Sequence, residues 1–115
     1  MMIRGDVYQA NLDPTEGSEQ AGKRPVLIVS RDGINRSSPV VIIVPLTKFL
    51  ARKKIYPSHY IVKASSDNGL NTDSIVKCEQ IRAIAKSRLS SKLGKINAED
   101  LAKIDRALKI VLSLK

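Results

Sequence analysis

The chain of 115 residues contains no tryptophan, one phenylalanine and three tyrosines. A platform of several aromatic side chains for stacking single-stranded bases is therefore excluded. Any base recognition would rest on hydrogen bonds, arginine planes and aliphatic contacts. Cysteine is almost absent: Cys78 stands alone, so no internal disulfide is possible. It lies in an apolar alternating stretch and is expected to be a small buried hydrophobe. His59 is the only histidine. Neither residue has partners at metal-ligand spacing, so no metal site is expected. The local signature of a cysteine hydrolase is also missing. His59 is expected to open a strand in a structural role. Gly17 and Gly22 lack the spacing and the downstream helix of a phosphate-binding glycine loop, and no cofactor is expected. No apolar run approaches the roughly 20 residues of a membrane span. The stretch Met1-Met2-Ile3-Arg4-Gly5-Asp6 has no apolar signal-peptide core. The expected location is the cytoplasm, away from any membrane.

Acidic residues are also scarce: eleven Asp and Glu stand against twenty Lys and Arg, a formal charge of +9. On a small domain this bias favours a polyanionic partner. The cations Arg36, Lys48, Arg52, Lys53 and Lys54 gather near loops, and no basic amphipathic helix with bulky apolar anchors points to a membrane surface. Hydrophobic residues make up 43%, enough for one folded domain over residues 1–115.

The pattern along the chain is mainly β. Residues 6–12 read as a short strand ended by Asp13-Pro14. A long polar loop, 13–24, follows; loops of this length in a small domain are commonly functional. Residues 25–30, "PVLIVS", form an unbroken apolar run, read as a strand buried on both faces. Residues 31–39 are turn-rich. Residues 40–47, "VVIIVPLT", are a second buried strand, in which Pro45 predicts an edge or a bulge. After a basic loop, 48–58, residues 59–64 form a strand, and residues 65–70 a turn. Residues 73–86 read as one bent strand or two, with a bulge around Glu79-Gln80 that could aim Gln80 at a site. Residues 89–93 suggest a helical turn closed by Gly94. The last segment is the clearest helix: Asn97 is an N-cap with Asp100 three residues on. Leu101, Ile104, Leu108, Val111 and Leu112 form its apolar stripe. The expected architecture is mainly β with a C-terminal helix, a small, strongly curved barrel of antiparallel strands.

Geometry then picks out candidate residues. If strands 25–30 and 40–47 pair as an antiparallel hairpin, partners have numbers adding to about 71. Arg24 then meets Thr47 at one end of the sheet. Loops 13–24 and 48–58 leave from the same end, bringing Ser18, Gln20, Lys23, Lys48, Lys53 and Lys54 to it. A guanidinium fork matches phosphate oxygens, and a neighbouring hydroxyl can bond to the same group. The pair suits stabilisation of a charged phosphoryl transition state, as in cleavage of RNA by its own 2′-hydroxyl. Spacing alone serves equally well for a satisfied surface pair on a basic domain. Neither Arg24 nor Thr47 is a good general base, so the expectation is a slow enzyme or a further residue acting as base.

The segments "RGDVYQANLDPTEGSEQAGKRPVLIVS", "VVIIVPLT" and "DSIVKCEQIRAI" resemble the MazF/PemK family of toxin endoribonucleases, in order and over nearly the whole chain. The resemblance implies an SH3-like barrel of the CcdB/PemK type, a homodimer, and metal-independent cleavage of single-stranded RNA at short sequences. Products would carry 2′,3′-cyclic phosphate and 5′-hydroxyl ends. It also implies an antitoxin partner with an acidic, flexible tail. On this resemblance Arg24 and Thr47 are catalytic, Ser18 and Gln80 contact RNA, and Asn35 and Arg36 belong to a mobile loop flanking the groove. Gln20, Lys23 and Lys48 complete the expected RNA surface; Lys23 stands where a related branch has histidine. The alternatives are a non-catalytic topoisomerase poison of the CcdB type and a plain basic RNA-binding barrel.

Overall fold

A computed structural model of the chain describes residues 2–52 and 54–115; the expectation for Lys53 lies outside the described residues. Seven strands lie among the described residues: β1 (Asp6–Asn11), β2 (Lys23–Ile28), β3 (Val40–Lys48), β4 (His59–Val62), β5 (Ser74–Lys77), β6 (Arg82–Ala85) and β7 (Leu89–Lys95). A short helix, α1 (Asp32–Ser37), joins β2 to β3, and α2 (Ala98–Leu112) closes the chain. Every pairing is antiparallel, in the order β4-β5-β3-β2-β1-β7, with β6 beside β3. This is the predicted mainly β architecture with a C-terminal helix. Among the described residues no helix is long and apolar enough to cross a membrane.

The unbroken apolar runs are explained by burial on both faces. Alternation sends Leu27, Val44 and Leu46 into a core shared with Val62, Val76 and the α2 residues Ile104 and Leu108. It sends Val26, Ile28, Val41 and Ile43 into a second core with Leu12 and Ile84. The hairpin register follows the expected rule: Val26 faces Pro45, Leu27 faces Val44 and Ile28 faces Ile43.

Four local expectations need correction. Pro45 marks neither an edge nor a bulge, because β3 is central. Its free side changes partner there: β6 pairs with Val40–Ile43 and β5 with Leu46–Lys48. The missing N–H falls in the gap between the two ladders. The irregularity at Glu79-Gln80 is a 3₁₀ turn, Cys78–Gln80, separating two strands. Cys78 is buried as expected, but it opens this turn rather than lying within a strand. Residues 89–93 are not a helical turn but part of β7: Leu89 and Leu93 mimic helical spacing, yet pairing with β1 satisfies the backbone of both strands.

The α2 cap forms as read, the Asn97 side chain accepting from the Asp100 N–H at 2.8 Å. Its apolar stripe is shorter than expected, since Leu112 is exposed. The Tyr60 hydroxyl donates to Asp100 Oδ1 at 2.5 Å, tying β4 to the start of α2. That bond, with burial and the nearby Asp100 and Glu99 charges, pushes the Tyr60 phenol up to about 12. A raised folded-state value stabilises fully below the unfolded value near 10 and is lost as pH rises through the folded one. Wild type is therefore expected to lose more stability than Tyr60→Phe between about pH 10 and pH 12, as measured by denaturant melts across that window. Equal losses would mean that the bond does not hold the phenol protonated.

Candidate RNA-cleaving cleft

Arg24 lies one residue inside β2, half-buried, at the end of the sheet where β3 finishes. Pro25 fixes the chain beside it and pairs with Gln9 of β1. The guanidinium is aimed by two carbonyls. Its Nε donates to Ala21 O at 2.8 Å, and Nη1 donates to Leu46 O at 3.4 Å. The second contact puts the fork next to Thr47, as the register requires. No described carboxylate lies within ion-pair distance of Arg24. The guanidinium thus keeps donors for an outside acceptor. Thr47 is half-buried opposite Ile75 of β5.

Arg24 and Thr47 line one open cleft of about 380 Å³. Lys23 and Lys48 stand exposed at its margin, and Leu46 and Pro25 contribute to its walls. Three cationic side chains and a hydroxyl thus converge on one concavity. That set suits an oligoanion carrying a phosphate to be held in place.

Gln80 serves the loop before β2. Its Nε2 donates to Ser18 O, and its Oε1 accepts from the Gln20 N–H, both at 3.3 Å. The same loop is pinned at its other end, where Asp13 Oδ1 accepts from the Gly22 N–H at 3.0 Å. Ser18 is exposed on this loop, whereas Gln20 is half-buried. Neither lines the cleft around Arg24.

The other expected contacts are not brought together with these. Asn35 and Arg36 sit in α1, at the opposite end of the β2–β3 hairpin, about 20 Å along the strand. Asn35 is buried: its Nδ2 donates to Ser30 O at 2.9 Å, and its Oδ1 accepts from the Ser30 hydroxyl. That side chain is consumed in closing the connection, so an RNA contact through it is corrected. Arg36 remains exposed there. Lys54 is also displaced from the cleft, its ammonium lying over the Tyr56 ring at 5.3 Å.

His59 opens β4 as expected, and its Nε2 pairs with Glu79 Oε2 at 2.9 Å. The other oxygen of Glu79 accepts from the Ser58 hydroxyl at 3.1 Å. Burial pushes the Glu79 carboxyl up, but the bonds from His59, its own backbone and Ser58 outweigh this and hold it below the usual range. Burial, with the Glu79 and Asp105 charges, pushes the Cys78 thiol up to about 12. A thiol so raised is a poor nucleophile, so a Cys78–His59 reaction centre is disfavoured.

Sequence reasoning missed the far wall of the cleft. Gln9, Asn71 and Thr72 line it: Gln9 is carried there on β1 by its pairing with Pro25, and Asn71 and Thr72 because Lys48 pairs with Ser74 and so draws the β4–β5 loop to the end of β3. The signal was present in the Asn71-Thr72 step before the fifth strand, but it requires knowing that β5 pairs with β3.

Residues 3–112 match the model of the PemK-like, MazF-like toxins of type II toxin–antitoxin systems. The chain is 43% identical over 111 residues to the endoribonuclease EndoA of Bacillus subtilis, covering 96% of this chain and 94% of that one. It is 40% identical over 119 residues to the endoribonuclease MazF9 of Mycobacterium tuberculosis, covering 99% and 98%. A mycobacterial endoribonuclease solved with its cognate antitoxin superposes with a TM-score of 0.80 at 29% identity, over 100% of this chain and 98% of that one. MazF from Deinococcus radiodurans superposes with a TM-score of 0.82 at 25% identity, over 98% and 97%. With its hairpin register, its polar loop and its terminal helix all within the matched span, this chain belongs to the PemK/MazF family of type II toxins.

Proposed function

We propose that the chain, acting as one toxin domain, is a sequence-selective endoribonuclease that cleaves single-stranded RNA at the Arg24–Thr47 cleft. The observation that carries this reading is an arginine fork with no carboxylate partner among the described residues, beside a threonine hydroxyl in a basic cleft. The 2′-oxygen attacks the adjacent phosphorus, and the bond to the 5′-oxygen breaks. The proton of the 2′-hydroxyl ends on that leaving oxygen. The products are a 2′,3′-cyclic phosphate and a 5′-hydroxyl, with no water consumed. Charge grows on the phosphoryl oxygens as the bond forms, and the Arg24 fork is placed to stabilise it. Thr47 positions the same phosphate, and Lys23 and Lys48 hold its neighbours. Gln80 acts through the loop it clamps, with Ser18 and Gln20 presented on that loop.

The cellular setting that accompanies this reading is the cytoplasm, with the toxin as a homodimer neutralised by an antitoxin. An acidic, flexible antitoxin tail would compete with RNA for the same cations; a relative has been solved with its cognate antitoxin. Incubation of the purified protein with long single-stranded RNA in EDTA tests the activity. The expected result is a discrete fragment set with 5′-hydroxyl ends. Intact RNA, or fragments that appear only with added metal, would overturn it.

A further inference from the structure

Resting on the reading of the cleft as an RNA-cleaving site, we propose that Asn71, supported by Thr72, reads the base next to the scissile phosphate. Both residues line the cleft that holds Arg24 and Thr47. Both are exposed. Among the described residues neither side chain makes a hydrogen bond, in contrast to the neighbouring Asn68, Asp73 and Ser74.

The loop beneath them is rigid, and this separates a reader from a passing surface residue. Asn68 is buried and spends its carboxamide on the loop itself. Its Nδ2 donates to Lys63 O at 2.9 Å, and its Oδ1 accepts from the N–H groups of Ser65 and Leu70, each at 3.0 Å. Past the tip, the Ser74 hydroxyl donates to Thr72 O at 2.9 Å, and the Phe49 N–H donates to Asp73 O at 2.9 Å. The wall is thereby fixed to the end of β3, the same strand that carries Thr47. A free carboxamide on a fixed wall makes a pre-organised bidentate reader. Its oxygen accepts from an exocyclic amino group while its nitrogen donates to a ring nitrogen. Adenine presents that pair on two edges, N6 with N7 and N6 with N1, whereas cytosine presents it on one, N4 with N3, so adenine is the base favoured; these edges are accessible in an unstacked single strand. The scarcity of aromatics leaves recognition by hydrogen bonding as the main source of selectivity at this cleft.

The test maps cleavage ends on a pool of single-stranded RNAs randomised around the cut. Wild type is expected to favour adenine at one position adjacent to the scissile bond. Asn71→Ala should relax that preference by roughly tenfold, leave preferences at other positions unchanged, and melt within a few degrees of wild type. Thr72→Val should weaken the same position less. A uniform loss of rate at all sequences, unchanged selectivity, or a wild-type site without adenine there would overturn the assignment. If wild type yields no fragments at all, the cleavage reading fails and the assignment fails with it, a result distinct from the others.

Discussion

Arg24→Ala is expected to slow RNA cleavage by roughly 10³-fold, the scale of losing one pre-organised donor to a developing anion. The side chain is half-buried and already oriented by the carbonyls of Ala21 and Leu46. Little reorganisation therefore remains to be done when the phosphoryl charge develops. Arg24→Lys should not restore the rate, because an ammonium cannot keep both carbonyl contacts and still present a planar fork. The fold should survive, since a bond from a charged donor to a carbonyl is worth about 2 kcal/mol, the contact to Leu46 O is long at 3.4 Å, and a domain is stable by roughly 5–15 kcal/mol. Single-turnover cleavage of a mapped RNA substrate, with thermal melting in parallel, separates the two effects. Cleavage at the wild-type rate by a folded Arg24→Ala would remove the guanidinium from the chemistry. Retained toxicity in cells for the same variant would favour a non-catalytic poison, for which this residue is dispensable.

The Arg24–Thr47 juxtaposition was legible because it depends on short-range facts. Two apolar runs joined by a turn-rich connector fix a register, and that register alone brings the residues at the ends together. The α2 cap was legible for the same reason, since Asn97 and Asp100 are one helical turn apart. What escaped depends on pairing between distant segments. Residues 89–93 carry leucines at helical spacing, and only the open edge of β1 makes them a strand. Pro45 reads as an edge signal until β3 is seen to change partners at that point. Asn35 looks like a polar loop residue, yet it is buried, because the β2–β3 connection needs a carboxamide to satisfy Ser30. The Asn71-Thr72 step is visible in the sequence, but its place on the far wall of the cleft is set by the β3–β5 ladder, a long-range pairing.

That wall supplies the largest stability effect expected of a single substitution. Gly69 sits at φ +68, and a Cβ added there would lie 2.1 Å from Leu93 O and 2.6 Å from Leu93 C. Neither partner yields easily. Leu93 belongs to β7, paired along β1, and Gly69 follows the buried Asn68 that anchors the loop. On the facing strand, a Cβ at Gly94 would come within 2.2 Å of Asp67 O, so the two backbones approach too closely for a side chain on either. Gly69→Ala is therefore expected to cost about 3 kcal/mol or more, from the left-handed backbone and the collision together. In a domain of this size that lowers Tm by about 12 °C. Gly17→Ala is the control, because Gly17 also has positive φ, +55, but a Cβ there meets nothing within 4 Å. It should lose only about 1 kcal/mol, the conformational part alone. The difference between the two melts measures how firmly the Asn71 wall is held against β7. If both variants melted together, the loop would be yielding to the new methyl group. A wall that soft could not hold a carboxamide still enough to choose between bases.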